Sequence, residues 1–203
     1  MWLFIAIAVV AGYLLGNLNG AVLASKALGD DVRTHGSGNA GLTNFIRSYG
    51  AGHAILVILV DAGKAVVGCL LGGFLLRDHL GFQAGLIIGG SAVMLGHVFP
   101  VFLGFRGGKG ILSGFFIALV TDWRVALLIL AVFALAYLLT GYVSLGSVLA
   151  AATFGIAFLL LHWGSPVIML CGVFMAVLAI FMHGTNIRRL LRGEERKTNL
   201  FKK

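Results

Sequence analysis

The sequence predicts an all-α, polytopic integral membrane protein with about seven transmembrane helices in a single domain covering residues 1–203. Three observations lead there. Of the 203 residues, 60% are hydrophobic, only 11% are charged and two are proline, which is too apolar for a soluble domain. The apolar stretches are continuous and rich in Leu, Ala and Gly, without the in-out alternation of a barrel wall. A bilayer core about 30 Å thick takes roughly 20 apolar residues per helix, so the chain has room for about six or seven spans. Helices satisfy the backbone internally, as the hydrocarbon demands.

Charge and glycine clusters divide the chain into helices near residues 1–23, 51–76, 81–103, 111–122, 124–140, 143–162 and 166–184. The first stretch lacks the basic start and small-residue cleavage site of a secretory signal, so it is expected to remain as a span. Residues 111–140 are ambiguous, because Asp122-Trp123-Arg124 splits one long apolar run into two short pieces. Basic residues decide the count, since short cytoplasmic loops are enriched in Lys and Arg. Seven spans with the N-terminus outside keep Lys26, Arg33, Arg47, Arg106, Lys109 and the tail residues Arg188, Arg189, Arg192, Arg196, Lys197, Lys202 and Lys203 in the cytoplasm. Only Arg77 and Arg124 then lie outside. Six spans would translocate the tail. Seven are therefore expected, with the fourth helix short or partly crossing.

Glycines 63, 68, 89, 90, 146 and 155 are expected to let helices approach closely. Cys69 and Cys171 lie in apolar stretches without a Cys-x-x-Cys spacing and read as packing residues. No internal repeat of the kind that builds inverted-repeat transporters is visible.

Three polar islands interrupt the apolar chain. The first is Gly36-Ser37-Gly38-Asn39-Ala40-Gly41-Leu42-Thr43-Asn44, the second Gly104-Phe105-Arg106-Gly107-Gly108-Lys109-Gly110, and the third His183-Gly184-Thr185-Asn186-Ile187-Arg188-Arg189. In the seven-span topology all three, and Ser144, face the cytoplasm. The first matches G-x-G-x-x-G formally, but it follows a membrane span rather than a strand, so a dinucleotide fold is rejected. Its glycines and short polar side chains suit an oxyanion, although a plain inter-helix turn has the same composition. The second island leads into a helix whose first amides and dipole favour an anion, with Lys109 adding a full charge. The Walker A spacing is absent. In the third, His183 and Asn186 are three apart and share a face if the helix continues, while the arginines beyond also suit anionic headgroups.

Asp61 and Lys64 lie at i and i+3 inside the second span, either paired with each other or pointing into a polar cavity. The six histidines have no metal-ligand spacing, and none has an aspartate five positions on. No metal or other cofactor is expected.

The motifs in order resemble the bacterial acyl-phosphate-dependent glycerol 3-phosphate acyltransferase family over nearly the whole chain. They are Gly36-Ser37-Gly38-Asn39 with Gly41 and Thr43-Asn44, Arg47, Asp61 with Lys64, Gly96-His97-Val98-Phe99-Pro100 through Gly107-Gly108-Lys109-Gly110, Tyr142-Val143-Ser144-Leu145, and His183, Asn186, Arg188 and Glu194-Glu195. Leu42, Ala65 and Ile111-Leu112-Ser113 depart from the family pattern, at packing positions rather than polar ones. The resemblance implies acyl transfer from acyl phosphate to the primary hydroxyl of glycerol 3-phosphate, giving lysophosphatidic acid and inorganic phosphate. It further implies a bacterial cytoplasmic-membrane location among membrane lipids, with no acyl carrier protein, nucleic acid or metal.

The resemblance also implies the site. Ser37, Lys109, Ser144, His183 and Asn186 would be catalytic. Gly36, Gly38, Asn39, Gly41, Thr43, Asn44, Arg47, Gly107, Gly108, Gly110, Arg188 and Glu195 would bind substrate. Backbone amides around residues 38–41 and 107–110, with Lys109, would hold the donor phosphate. Arg47, Asn186 and Arg188 would orient the acceptor phosphate. Acyl phosphate has a good leaving group, so direct attack by the glycerol hydroxyl needs no acyl-enzyme. The base is either His183 or an oxygen of the donor phosphate. A phosphometabolite transporter uses similar ingredients but needs access from both faces, and a purely structural membrane protein leaves the first two islands unexplained.

Overall fold

The computed structural model describes residues 1–198 and holds ten α-helices and no strand among them. Lys202 and Lys203, placed in the cytoplasm on charge grounds, lie outside the described residues. Two compact units are present, Met1–Thr121 and a second that begins at Asp122.

The first unit contains α1 (Trp2–Gly16), α2 (Gly20–Ala27), α3 (Leu42–Tyr49), α4 (Ala54–Leu80), α5 (Phe82–Val98) and α6 (Ile111–Thr121). The single helix expected over residues 1–23 is corrected to two. Asn19 leaves the helical region (φ −108°, ψ 113°) and its side chain accepts from Val22 N at 3.0 Å, capping α2. The break exposes backbone groups that α4 satisfies. Lys64 Nζ donates to Gly16 O at 3.3 Å and to Leu18 O, while Asp61 Oδ1 accepts from Gly20 N at 3.2 Å. Asp61 and Lys64 are themselves paired at 2.8 Å, so the alternative left open by their spacing resolves to a buried pair serving a broken helix.

Helices α4 and α5 touch backbone to backbone. A Cβ placed on Gly72 would lie 2.9 Å from Gly89 Cα, and one on Gly85 would lie 2.9 Å from Gly73 Cα. This is the close approach that small residues permit in membranes. Gly63, expected to share that role, has nothing within 4 Å of its Cβ position and does not.

The second unit contains α7 (Trp123–Thr140), α8 (Val143–Leu161), α9 (Pro166–Met182) and α10 (Gly184–Leu191). Asp122 caps α7 by accepting from Arg124 N at 3.0 Å and reaches His162 Nε2 at 3.0 Å, tying the start of α7 to the end of α8. Gly141, at φ 76°, ends α7 in the left-handed conformation and lets α8 return alongside it. Helices α9 and α10 meet at His183 with a bend of 57°.

Five stretches are long and apolar enough to cross a membrane: Trp2–Ala27, Ala54–Leu80, Phe82–Leu103, Trp123–Thr140 and Val143–Leu161. The bent α9–α10 pair meets the same criterion only when its two helices are taken together. At 11 residues, α6 rises only about 16 Å, roughly half a bilayer core. Large side chains such as Leu138, Leu139, Leu160, Leu170 and Phe181 point outward, as hydrocarbon solvent allows. The protein is a multi-pass helical membrane protein.

Because Asn19 both caps α2 and donates its amide to Ala40 O at 3.0 Å, Asn19→Ala is expected to cost about 1–2 kcal/mol. A lowered thermal midpoint in detergent is the readout, and an unchanged midpoint would contradict the assignment.

Candidate functional site

The predicted residues fall into two groups, one in each unit. In the first unit the loop of residues 30–41 is shaped by its own side chains. Asp31 accepts from Arg33 N and pairs with the Arg33 guanidinium at 2.7 Å, and that hydrogen bond draws its carboxyl down to about 2. Arg33 Nη1 reaches Leu103 O at 3.3 Å, joining the loop to the short turn Val101–Leu103 that follows α5. Asn44 Oδ1 accepts from Ser37 N at 2.9 Å, while Nδ2 donates to Val32 O at 3.0 Å and His35 O at 3.1 Å. Both ends of the Asn44 amide thus serve the loop itself. Gly36 and Gly38, at φ 58° and 70°, supply the left-handed residues of its turn.

Helix α3, unforeseen in the first island, buries Phe45 and leaves Arg47 exposed. Thr43 and Arg47 are four apart and share a face. Leu42, Phe45, Ile46 and Tyr49 carry the helical spacing that announces this element.

The second island lies against the first. Gly107 N donates to Val98 O at 3.3 Å and Gly108 N to His97 O at 3.1 Å, folding the loop back on the end of α5. A Cβ on Gly108 would collide with the His97 ring and lie 2.8 Å from Ala40 O, so only glycine fits between the two islands. Of the amides in residues 38–41 and 107–110 expected to hold phosphate, four are engaged within the loops. The N–H groups of Gly38, Gly41, Gly107 and Gly108 donate to His35, Asn39, Val98 and His97 carbonyls respectively. The head of α6 adds further amides. Its ladder starts with Gly114 N to Gly110 O at 2.7 Å, so the amides of Ile111, Leu112 and Ser113 precede it. Lys109 and Gly110 stand immediately before them, and Gly110 takes φ 80° to turn the chain into the helix.

In the second unit Ser144 lies in the first turn of α8, and Asn186 on α10. Asn186 Nδ2 donates to Glu195 Oε1 at 2.7 Å and Arg189 Nε to Glu195 Oε2 at 2.6 Å. The Ser144 hydroxyl is beside the same carboxylate without forming a well-shaped hydrogen bond. Burial works to raise the Glu195 carboxyl, but the hydrogen bonds from Arg189 and Asn186, with the Arg189 charge, hold it below the ordinary value. Glu195 is an acceptor-only group, and its two oxygens accept from Asn186 and Arg189.

His183 occupies the bend, its Nδ1 donating to Ala179 O at 2.8 Å, which puts the lone pair of the neutral ring on Nε2. Arg188 is exposed on α10. The chain after α10 returns to the α7–α8 turn, where Thr198 N donates to Gly141 O at 3.1 Å and Tyr137 Oη to Thr198 O at 2.9 Å. Residue spacing gave no sign of this clasp, or of the parts played by Arg33, Asn19 and Arg189. Among the described residues no three His, Cys, Asp or Glu side chains gather as a metal site requires.

Helices and loops together define a polytopic membrane protein whose polar residues are concentrated in anion-compatible loops. The family model for glycerol-3-phosphate acyltransferase matches residues 6–193. A glycerol-3-phosphate acyltransferase of Thermoanaerobacter sp. (strain X514) is 38% identical over 196 residues, 96% of each chain. Another, from Anaeromyxobacter sp. (strain Fw109-5), is 41% identical over 191 residues, 93% of this chain and 94% of its own. The crystal structure of PlsY (YgiH), an integral membrane glycerol 3-phosphate acyltransferase, in its glycerol 3-phosphate form matches with TM-score 0.86 and 32% identity over 98% of this chain and 99% of that one. Its lysophosphatidic acid form matches with TM-score 0.83 and 31% identity over 97% and 96%. The chain belongs to the glycerol-3-phosphate acyltransferase family, and it is an acyltransferase.

Proposed function

We propose that the protein moves a fatty acyl group from acyl phosphate to the primary hydroxyl of glycerol 3-phosphate, forming lysophosphatidic acid and inorganic phosphate without an acyl-enzyme. The observation that carries this reading is the packing of the two glycine loops through Gly108 and Ala40, with Lys109 at the head of α6. That arrangement offers helix-end amides and a lysine charge to a phosphate. The solved forms of PlsY with glycerol 3-phosphate and with lysophosphatidic acid support an acceptor and a product of the same kind here. Acyl phosphate as donor follows from the family motifs and from the reactivity of a mixed anhydride.

In the reaction the glycerol oxygen bonds to the acyl carbon, the bond from that carbon to the phosphate oxygen breaks, and the hydroxyl proton leaves on phosphate. Lys109 and the first amides of α6 stabilise charge on the departing phosphate. Ser37, Asn39, Thr43 and Arg47 complete the first unit's anion-binding surface, on loops that Gly36, Gly38, Gly41, Gly107, Gly108, Gly110 and Asn44 shape. The family motifs assign Ser144, His183, Asn186 and Arg188 to substrate, and Glu195 holds Asn186. His183 acts mainly through hydrogen bonding, since a donor-phosphate oxygen can take the proton itself. The enzyme works in the bacterial cytoplasmic membrane with seven membrane segments, the short α6 crossing only in part, and its polar loops facing the cytoplasm, the side favoured by its basic residues.

Purified protein in lipid nanodiscs, given a long-chain acyl phosphate and glycerol 3-phosphate, is expected to release lysophosphatidic acid and phosphate in equal amounts. Acyl-CoA or acyl carrier protein in place of acyl phosphate is expected to give none. No product from acyl phosphate, or a trapped acyl-protein, would overturn the proposal.

A further inference from the structure

We infer that His97 is a positioning residue that seats the loop of residues 107–110, and that it does so as a neutral ring accepting a hydrogen bond from the buried Lys64 ammonium. Three contacts on the ring and its backbone carry this. Nδ1 of His97 lies 2.7 Å from Lys64 Nζ. Its carbonyl accepts from Gly108 N at 3.1 Å, and the far edge of the ring abuts Gly108, where even a methyl group would not fit.

The lysine fixes the tautomer. Lys64 Nζ is surrounded by Asp61 Oδ1 at 2.8 Å, Gly16 O at 3.3 Å, Leu18 O and His97 Nδ1. The first three only accept, and an ammonium only donates. His97 Nδ1 must therefore present its lone pair to Lys64, which leaves the ring proton on Nε2, at the edge facing Gly108. His97 is 4% exposed and Lys64 likewise 4%, so water does not compete for these bonds. Asp61 is 3.7 Å from the same ring nitrogen and supplies the balancing charge.

The contacts close into a circuit. From the α1–α2 break, Leu18 O receives Lys64, Lys64 holds His97, His97 seats Gly108, Gly108 packs on Ala40 O, and Ala40 O accepts from Asn19 beside the break. Both glycine loops are thereby registered to one buried cation. The break in the first span has a purpose in this arrangement: its carbonyls complete the shell of the lysine that orients His97.

The catalytic consequence rests on the proposed role of Lys109 and α6 in holding the donor phosphate, while the seating itself does not. Hydrogen–deuterium exchange of the peptide covering residues 104–110 reads the seating directly. His97→Leu, which removes a bond to a charged donor, is expected to speed loop exchange by about tenfold. His97→Asn, whose amide oxygen replaces Nδ1, is expected to exchange like wild type. His97→Gln carries its acceptor one bond too far from Lys64 and is expected to follow His97→Leu, so it serves if the leucine variant does not fold. A folded leucine or glutamine variant with wild-type loop exchange, or an asparagine variant as fast as leucine, would overturn the inference. In kinetics, the KM for acyl phosphate is expected to rise about tenfold in His97→Leu, with the KM for glycerol 3-phosphate unmoved and with rescue by asparagine. Faster exchange with an unmoved donor KM would uphold the seat and remove the loop from donor binding. A raised donor KM with unmoved exchange would overturn the seat and leave the donor role intact.

Discussion

Lys109→Ala is expected to lower kcat/KM for acyl phosphate about 10²–10³-fold, the usual effect of removing one preorganised group from a developing oxyanion. Lys109 stands two residues before α6 and is only partly exposed, while Gly108 beside it is buried against the first loop. As the acyl carbon–oxygen bond breaks, negative charge collects on the phosphate, and a lysine charge is worth most at that moment. The effect should exceed simple loss of affinity, so kcat should fall as well as KM rise. Lys109→Arg keeps the charge but replaces a compact point donor with a planar fork, and it is expected to recover part of the activity. Steady-state kinetics with both substrates varied gives the answer. A loss below tenfold in the alanine variant would remove Lys109 from the transition state.

The reason Lys109 was legible in the sequence is that glycine and charge are informative in an apolar chain. Gly107-Gly108-Lys109-Gly110 cannot be explained by spanning a bilayer, and neither can the glycine-serine-asparagine run before Asn44. Which atoms of those loops face a ligand was not legible. A glycine advertises backbone freedom, but the donors of Gly38, Gly41, Gly107 and Gly108 turned out to hold the loops together. Long-range partners decide that, and spacing does not carry them. The break at Asn17-Leu18-Asn19 had a local signal, two asparagines flanked by Gly16 and Gly20, yet mean hydropathy over a span averages it away. Helix α3 was hidden, and α10 was foreseen only as a possible continuation through Asn186, for the opposite reason. Each is eight residues long and amphipathic, so a reading tuned to continuous apolar runs passes over it. His97 was visible as part of a motif but without a task, because a histidine in an apolar stretch reveals its role only through the lysine it meets 33 residues away.

Glu195→Gln is expected to destabilise the second unit by about 2–3 kcal/mol at neutral pH, less than a fully buried ion pair because Arg189 is partly exposed. The geometry leaves no place for an amide. Both carboxylate oxygens face donors, Asn186 Nδ2 at 2.7 Å and Arg189 Nε at 2.6 Å, so the NH₂ of glutamine must oppose one of them. The lost bond to Asn186 also frees a residue assigned to the acceptor, and turnover should fall with stability. Linkage gives a second signature. The folded carboxyl lies below its ordinary value of 4.5, so its stabilising effect is fully present above that pH and is lost as pH falls through the folded value. The gap in thermal midpoint between wild type and Glu195→Gln should therefore be flat from neutral pH down to about 5 and close in more acidic buffer. A gap that persists unchanged at the lowest pH the wild type survives would mean that packing around residue 195, rather than its charge, holds the chain after α10 in place.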